Sequence, residues 1–479
     1  MSGYELVAGL ETHVELATAS KIFCGCPNRF GDAPNTHCCP VCTGLPGALP
    51  RLNRQAVRLA VTAGLALGCA VRPVSYMARK HYTYPDLPKG YQITQAEQPL
   101  CENGRVTLPG GRTIRIERLH IEEDAGKLIR RDGELLADYN RCGVPLIEIV
   151  TAPDFRAAAE IRAYLEWLRQ TLRWLGISDC RMQEGSLRCD VNLSVRPAGS
   201  MAMGTRVELK NMNSFSMIER AVTFEYERQT TLLSRGEPVS RETRRYDEVR
   251  GMTESMRGKE SAGDYRYCPE PDLGPVVVTA AELASLRAAL PELPDARRTR
   301  YVREYGLAER DAALLCRHRR VADYFEEACL GVSPTETARL LLGPMFRRVS
   351  TEEAREAGML PLPAEELRTL VRLVDTGRLG RSRVASVLET MLETGRTAEE
   401  LLAGEALDAV APEALEALCR QAIAANNKAV ADWRGGKTAA LQALVGAVMR
   451  ASAGRAEARE AAAVLTRLLG NSAEDKQRG

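Results

Sequence analysis

Long hydrophobic runs are missing from this sequence. Its apolar stretches stay well below the roughly 20 consecutive residues that a membrane-spanning helix needs. The first residues, MSGYELVAGLETHVEL, contain no basic region followed by an apolar core, which argues against a secretory signal peptide. These two absences predict a soluble, cytoplasmic protein that has no membrane partner.

An excess of either charge is missing as well. The 479 residues include 65 Lys and Arg against 63 Asp and Glu, which gives a formal net charge of +2. This balance argues against a protein that coats nucleic acid through its overall positive charge, although it leaves room for a local basic patch. The length predicts two to four domains, because a domain usually holds about 100–200 residues.

The character of the chain changes near residue 290. Before that point, short segments alternate between apolar and polar residues and are interrupted by helical patterns such as FRAAAEIRAYLEWLRQTLRWL. This mixture predicts an α+β domain with a mainly antiparallel sheet. After the two prolines of PELPDA the patterns are helical, and from about residue 400 they are rich in alanine. We therefore predict an α+β domain over 1–290, a helical domain over 291–400 and a helical tail domain over 401–479.

The tail is locally basic. Residues 421–479 hold nine Lys and Arg against five Asp and Glu. A basic helical segment on a slightly acidic body favours an anionic partner for the tail. A solvated, Arg-rich helical face is the alternative interpretation.

Cysteine is frequent, and five of the 14 cysteines lie between Cys24 and Cys42. Four of them form the pattern C-x-C-x12-C-x2-C, which is typical of two knuckles that hold a tetrahedral zinc ion through four thiolates. His37 and Cys38 are neighbouring candidates, but the x2 spacing favours Cys39. Unligated thiols are the alternative. The predicted ligands of a structural zinc ion are Cys24, Cys26, Cys39 and Cys42.

Acidic residues recur on the predicted strands. Alternation places Glu11 and His13 on one face of their strand, and it separates Asp190 and Glu208 from their apolar neighbours. The segment RLHIEEDAGK adds three consecutive acids. Carboxylates that lie close together repel one another unless a cation joins them, and oxygen ligands suit magnesium. Four amphipathic strands with a solvated polar face are an equally valid interpretation of these patterns.

A cationic and aromatic loop follows in RKHYTYPDLPKGYQ. Lys80 and Lys89 lie in this loop with three tyrosines and two prolines, a composition that suits a nucleotide or a phosphate. A plain surface turn is the alternative. Gly436-Lys437-Thr438 resembles the end of a phosphate-binding loop, but position 431 is Ala where that motif needs Gly. Neither a Gly-x-Ser-x-Gly elbow nor an amidase-type signature is found, so we predict that this chain does not hydrolyse an amide by itself.

Many segments together carry a resemblance to a known family. They occur in order along essentially the whole chain: GLETHVELATASKIFCGC, CPVCTGLPGALPRLN, RKHYTYPDLPKGYQITQ, RLHIEEDAGK, NRCGVPLIEIV, MQEGSLRCDVNLSVR, ELKNMNSF and DYRYCPEPDL. In these segments the sequence resembles the B-subunit family of the aspartyl/glutamyl-tRNA(Asn/Gln) amidotransferases.

The resemblance implies a function in protein biosynthesis. In this family three subunits work together, and the glutaminase subunit releases ammonia from glutamine. The B subunit uses ATP and magnesium to convert the side-chain carboxylate of a misacylated Glu-tRNA or Asp-tRNA into an acyl phosphate. Ammonia then attacks it to give Gln-tRNA or Asn-tRNA. The implied fold is a cradle-shaped catalytic domain followed by a helical domain and a tail that contacts tRNA, and the implied partners are the glutaminase subunit, the small third subunit and misacylated tRNA.

The resemblance also implies roles for individual residues. Lys80 and Lys89 match catalytic lysines that bind ATP, and Glu123 and Glu208 match catalytic acids. The four cysteines match the zinc form of the family. The implied magnesium ligands are Glu11, His13, Glu122, Glu123, Asp190 and Glu208.

Two other classes of protein compete with this interpretation. A zinc-containing RNA-binding protein without catalysis would explain the cysteines and the basic tail but not the acid-bearing strands. A stand-alone kinase of small molecules would explain the acids and lysines but not the tail. Deleting 401–479 separates the cases, because a small-molecule kinase would keep its full activity.

Overall fold

The computed structural model describes residues 3–95, 97–256, 265–403, 410, 412–452, 456 and 458–474. The chain divides into two compact units, Met1–Leu293 and Pro294–Gly479. The first unit combines strands and helices, whereas the described part of the second contains helices and no strand. This layout confirms the predicted fold class, an α+β region followed by helical regions.

The first unit is built around one large sheet. Nine of its strands hydrogen-bond in the order β14-β13-β12-β11-β1-β10-β7-β6-β2. Neighbouring strands run antiparallel throughout this sheet, except that β12 and β13 are parallel. The sheet is therefore mainly antiparallel, as the alternation of the sequence predicts. Numbered in chain order, the strands are β1 Tyr4–Glu15, β2 Ala70–Val71, β3 Val74–Ser75, β4 Ala78–His81, β5 Tyr91–Thr94, β6 Cys101–Thr107, β7 Thr113–Glu123, β8 Lys127–Arg131, β9 Glu134–Asp138, β10 Pro145–Thr151, β11 Leu187–Pro197, β12 Val207–Lys210, β13 Thr243–Asp247, β14 Met252–Ser255, β15 Cys268–Pro269 and β16 Val276–Val277.

Helices cover one face of this sheet. Apolar residues recur three and four apart along α2, so one side of that helix is buried, including Ile161, Leu165, Leu168 and Leu172. These side chains share one core with inward-facing residues of the strands. The opposite face of the sheet is left for polar side chains. The helices of this unit are α1 Arg54–Ala66, α2 Ala158–Trp174, α3 Phe215–Ser234 and α4 Ala280–Ala289.

The second unit is helical. Its last four described helices, α14 to α17, bury a core of their own that includes Leu415, Leu444, Val448 and Leu465. Among the described helices, none has both the length and the apolar character that crossing a bilayer requires. The helices are α5 Pro294–Tyr305, α6 Glu309–Leu315, α7 Arg319–Ala328, α8 Pro334–Leu340, a π-helical turn Leu341–Met345, α9 Phe346–Arg348, α10 Glu352–Glu356, α11 Ala364–Asp375, α12 Arg381–Thr394, α13 Ala398–Leu402, α14 Pro412–Ala425, α15 Asn427–Arg434, α16 Ala440–Ala451 and α17 Ala458–Glu474.

Candidate functional site

Strand β1 lies at the centre of the polar face. It pairs with β10 on one side and with β11 on the other, and this register places Glu11 opposite Asp190 and His13 opposite Glu148. Glu11 and His13 alternate with buried residues, because successive side chains of a strand point to opposite faces. Acidic side chains of five consecutive strands in the sheet therefore meet on one surface.

One set of metal-binding side chains forms around His13. One ligand atom each from His13, Glu122 and Glu148 lies within 4.8 Å of the others. Nε2 of His13 is 3.5 Å from Oε1 of Glu122 and 3.4 Å from Oε2 of Glu148. The buried His120 supports the same two carboxylates, since its Nε2 is 3.6 Å from Glu122 and 3.3 Å from Glu148. Thr94 donates a further hydrogen bond of 3.0 Å to Glu122.

Electrostatics favour the charged forms in this set. Burial alone would lower the pKa of both histidines, but the hydrogen bonds and charges of Glu122 and Glu148 outweigh it. The pKa of His13 is therefore raised, and that of His120 is raised to about 9. Burial likewise opposes the charge of Glu148, yet the two histidines hold the pKa of Glu148 well below its usual range. The carboxylates thus stay ionised, the form in which they bind metal, whereas His13 would have to lose its proton to become a ligand.

A second set lies beside the first. Glu11, Asp190 and Glu208 also bring one oxygen each within 4.8 Å of the others. Nζ of Lys210 is 2.8 Å from Asp190 and 2.9 Å from Glu208. Asn192 donates to Glu11 at 2.9 Å. Burial and the nearby Glu148 raise the pKa of Glu11, although the charge of Lys210 partly opposes this shift.

Both sets fit a divalent cation that prefers oxygen ligands. The first set offers two carboxylates and an imidazole, and the second offers three carboxylates. Magnesium is bound in proteins through one or two carboxylates together with water and phosphate oxygens. A cation in the second set would favour the ionised form of Glu11, which burial and neighbouring carboxylates disfavour.

A cavity of about 240 Å³ opens next to the first set. Its wall includes Lys80, whose Nζ lies 4.5 Å from the centre of the Tyr265 ring. The complete lining is His13, Lys80, Tyr82, Asp86, Gln92, Glu122, Asp124, Ala125, Arg141, Leu146, Glu148 and Arg188. The cavity is therefore lined by both acidic and cationic side chains.

The cysteine pattern also closes into a cluster. The Sγ atoms of Cys24, Cys26, Cys39 and Cys42 lie within 4.8 Å of one another. The buried Lys21 donates to Cys42 at 3.6 Å. Four thiolates with a neighbouring ammonium group fit a tetrahedral zinc ion.

The two neighbouring candidates lie outside this cluster. Sγ of Cys38 is directed to Oδ1 of Asn35 at 3.9 Å. Nε2 of His37 lies 2.9 Å from Oδ2 of Asp32. The structure therefore brings together the four cysteines that the spacing favours.

Comparison with known proteins shows which family this chain matches. A family model described as the GatB/GatE catalytic domain matches residues 6–284, and one described as the GatB domain matches residues 323–469. Two similar relatives, from Caldicellulosiruptor saccharolyticus and Thermoanaerobacter sp. (strain X514), are 48% and 47% identical, each over 95% of this chain and 96% of its own length. A third, from Anaeromyxobacter sp. (strain K), is 48% identical over 98% of this chain and its full length. All three are named as the B subunit of an aspartyl/glutamyl-tRNA(Asn/Gln) amidotransferase.

The chain belongs to the GatB family. Its relatives are named as subunits of an amidotransferase, and the first family model is that of a catalytic domain, so the chain is an enzyme subunit. The predicted resemblance is confirmed.

The predicted site residues of this GatB chain are placed as follows. Glu11, Asp190 and Glu208 come together in one set, whereas His13 and Glu122 come together in the other. Lys80 reaches the cavity.

Glu123 and Lys89 lie apart from both sets. Glu123 follows Glu122 on β7 and therefore points to the other face of the strand. There it forms a buried ion pair with Lys89 and accepts a hydrogen bond of 2.9 Å from the backbone N–H of Ile93. Their roles in catalysis and in ATP binding stay predictions.

Sequence reasoning missed Glu148 and His120. Glu148 is the one charged residue in the otherwise apolar PLIEIVT of β10, and an isolated acid in such a run is a usable sign of a functional site. His120 sits two residues before Glu122 on β7, so alternation could have placed it on the same face.

Proposed function

We propose that this chain activates the side-chain carboxylate of misacylated Glu-tRNA(Gln), Asp-tRNA(Asn) or both with ATP, so that ammonia converts it into the amide. The observation that carries the proposal is the pair of carboxylate sets, the first of which lines a cavity together with Lys80. The substrate class is supported by the names of the relatives, which are amidotransferases of these tRNAs.

The reaction needs positive charge at its centre. A carboxylate oxygen attacks the terminal phosphorus of ATP, the phosphoanhydride bond breaks, and ADP leaves. Because two anions meet in this step, cations must neutralise the charge that develops. Glu122 and Glu148 with His13, and Glu11 with Asp190 and Glu208, would hold magnesium, which supplies this neutralisation when bound. Lys80 contributes a further positive charge from the cavity wall.

The second step forms the amide. Ammonia attacks the acyl carbon, and phosphate leaves, so Glu-tRNA becomes Gln-tRNA and Asp-tRNA becomes Asn-tRNA. The sequence of this chain carries no amidase-type signature, and its relatives are named as B subunits. We therefore assign ammonia production to a separate glutaminase subunit, and we expect a small third subunit in the same cytoplasmic heterotrimer.

The cysteine cluster serves the fold in this proposal. Four thiolates leave a zinc ion no open position for a substrate, which is the arrangement of structural zinc sites. Zinc at Cys24, Cys26, Cys39 and Cys42 would therefore stabilise the loop that carries these residues without entering the chemistry.

The helical parts are proposed to serve tRNA binding. We assign 291–400 to a helical domain and 401–479 to a tail domain that contacts tRNA, because residues 421–479 are locally basic. A complex truncated before residue 401 should bind tRNA more weakly at low salt, and the difference should shrink as salt rises. Equal binding by both complexes at low salt would contradict the assignment of the tail.

The decisive experiment uses Glu208→Gln in the complex assembled with the glutaminase and small subunits. ATP-dependent amidation is followed with ammonium chloride as the nitrogen source, which bypasses the glutaminase. We expect a loss on the order of a hundredfold or more, because the second set then has one ligand fewer. Glutamine hydrolysis should survive much better. A wild-type complex that amidates neither Glu-tRNA nor Asp-tRNA would refute the proposed function, and wild-type activity in Glu208→Gln would refute the role of this set.

A further inference from the structure

Two arginines that line the cavity are bound to one aspartate. Nη2 of Arg188 donates to Oδ2 of Asp124 at 2.6 Å, and Nε of Arg141 lies 3.5 Å from the same oxygen. Asp124 is buried, and its Oδ1 accepts a hydrogen bond from the backbone N–H of Ala125 at 2.9 Å. Both guanidinium groups are therefore held in a fixed position at the cavity wall.

The two arginines use their donors differently. Arg141 spends its Nε and Nη2 on the carbonyl oxygens of Ala125 and Gly126, at 2.9 and 2.8 Å. Arg188 has its one hydrogen bond to Asp124, and its buried Nε has no hydrogen-bond partner among the described residues. A buried donor without an acceptor is costly. Nε of Arg188 therefore favours an acceptor from a bound ligand, because the described residues supply none.

Arg188 also has the right neighbours for a substrate site. It lies on β11 on the same face as Asp190, and it is opposite His13 in the register with β1. The guanidinium is thus beside the first set of magnesium ligands, yet it is not part of that set. An anion bound to Arg188 would lie next to the phosphate that this set and Lys80 attract.

Two anions enter the proposed reaction, and the geometry favours one of them for Arg188. Lys80 and the cations that the two sets would hold provide charge for the phosphates, whereas the acidic side chains of the described lining would repel the carboxylate of the aminoacyl group. A planar guanidinium matches a carboxylate in shape, and the bond to Asp124 orients it in advance.

We propose that Arg188 binds the side-chain carboxylate of the aminoacyl group and holds one of its oxygens toward the nucleotide. This inference rests on the proposed function, and it assigns the carboxylate-binding part of the cavity. Arg188 leaves the other oxygen available for the bond to phosphorus, and it stays protonated throughout.

The test compares Arg188→Gln and Arg188→Lys with Arg196→Gln in the assembled complex. Arg196 is a matched control, because it lies on the same strand and pairs at 2.7 Å with Glu5 instead of with a cavity residue. The measurements are the KM for Glu-tRNA or Asp-tRNA, whichever the wild type amidates, the KM for ATP, and the affinity for the same tRNA without an amino acid.

We expect Arg188→Gln to raise the KM for the misacylated tRNA roughly ten- to a hundredfold, which is the usual weight of a hydrogen bond to a charged group. The KM for ATP and the affinity for the uncharged tRNA should stay within about twofold, and Arg196→Gln should change none of the three. Arg188→Lys should fall between the wild type and Arg188→Gln, because it keeps the charge and loses the fork of donors.

Three results would overturn the inference. A raised KM for ATP alone would assign Arg188 to the phosphates. If both KM values and the affinity for uncharged tRNA are unchanged, Arg188 only pairs with Asp124 and does not bind the substrate. Equal losses with charged and uncharged tRNA would indicate a role in the fold.

If Arg188→Gln does not fold, Asp124→Asn is the second test, because it frees Arg188 and should still raise the KM for the misacylated tRNA selectively. An inactive wild type would count against the proposed function instead.

Discussion

The cysteine cluster and the carboxylate sets are two candidate metal sites in one unit of the chain, and they are built in opposite ways. The four cysteines lie within a short loop region, Cys24 to Cys42, where most of the chain has no regular structure. The carboxylates stand on paired strands, whose hydrogen bonds fix them before any ion binds. We therefore expect the cysteine loop to depend on its metal for its conformation, whereas the strands hold the carboxylates in place without a metal.

The environments differ in the same sense. The cysteines leave no open position around a tetrahedral ion, while the set of His13, Glu122 and Glu148 faces a cavity of about 240 Å³. A closed metal site stabilises the fold, whereas an open one leaves room for a substrate. Loss of a metal ligand should therefore unfold the cysteine loop, whereas loss of a carboxylate should abolish activity.

The largest effect is expected from Cys39→Ser. Removing one thiolate should release the zinc ion and lower the free energy of unfolding by several kcal/mol, because zinc binding contributes directly to folding. Zinc content and thermal unfolding of the purified chain measure this. Cys38→Ser is the matched control, since Cys38 is adjacent and outside the cluster. A Cys39→Ser protein with full zinc and unchanged melting would break the comparison.

Glu148→Gln should have the opposite profile. We expect amidation with ammonium chloride to fall about a hundredfold, which corresponds to about 2.7 kcal/mol of transition-state stabilisation, while the melting temperature falls less than that of Cys39→Ser. Glu117→Gln serves as the control, because Glu117 is exposed on the neighbouring strand β7. If Glu148→Gln keeps its full activity and its melting temperature falls as far as that of Cys39→Ser, then Glu148 serves the fold and not the reaction.

Lys21→Met should give the smallest effect and sharpen the comparison further. The buried Lys21 donates to Cys42 and to the carbonyl oxygens of His37 and Tyr139, at 2.7 and 3.2 Å. Without its charge, the thiolates should bind zinc about tenfold more weakly, a change near 1.4 kcal/mol. Competition with a metal-binding dye measures the affinity. Unchanged affinity would show that Lys21 supports the backbone alone.

Much of the fold could be predicted because one face of the sheet is buried. Alternation then fixes which side chains share the other face, and Glu11, His13, Asp190 and Glu208 were placed on it by that rule. The same rule separates Glu122 from Glu123, although both were expected among the magnesium ligands.

The division into two sets could not be predicted from local patterns. It depends on the strand order β12-β11-β1-β10-β7, which is set by pairing between distant parts of the chain. Arg188 and Asp124 meet for the same reason, since they are far apart in sequence and come from different strands and loops. Local periodicity shows which face a residue occupies but not which neighbour it has there.

The position of β1 has a consequence for synthesis of the protein on the ribosome. Tyr4–Glu15 is synthesised long before its two partners, Pro145–Thr151 and Leu187–Pro197. Until then both edges of an apolar-faced strand are unpaired, the condition under which nascent chains associate wrongly. The cysteine loop, by contrast, has all of its ligands within reach as soon as Cys42 has left the exit tunnel. If the proposed zinc ion binds, it can therefore stabilise its loop early, whereas the surface of carboxylates forms only after Glu208 on β12 has been made.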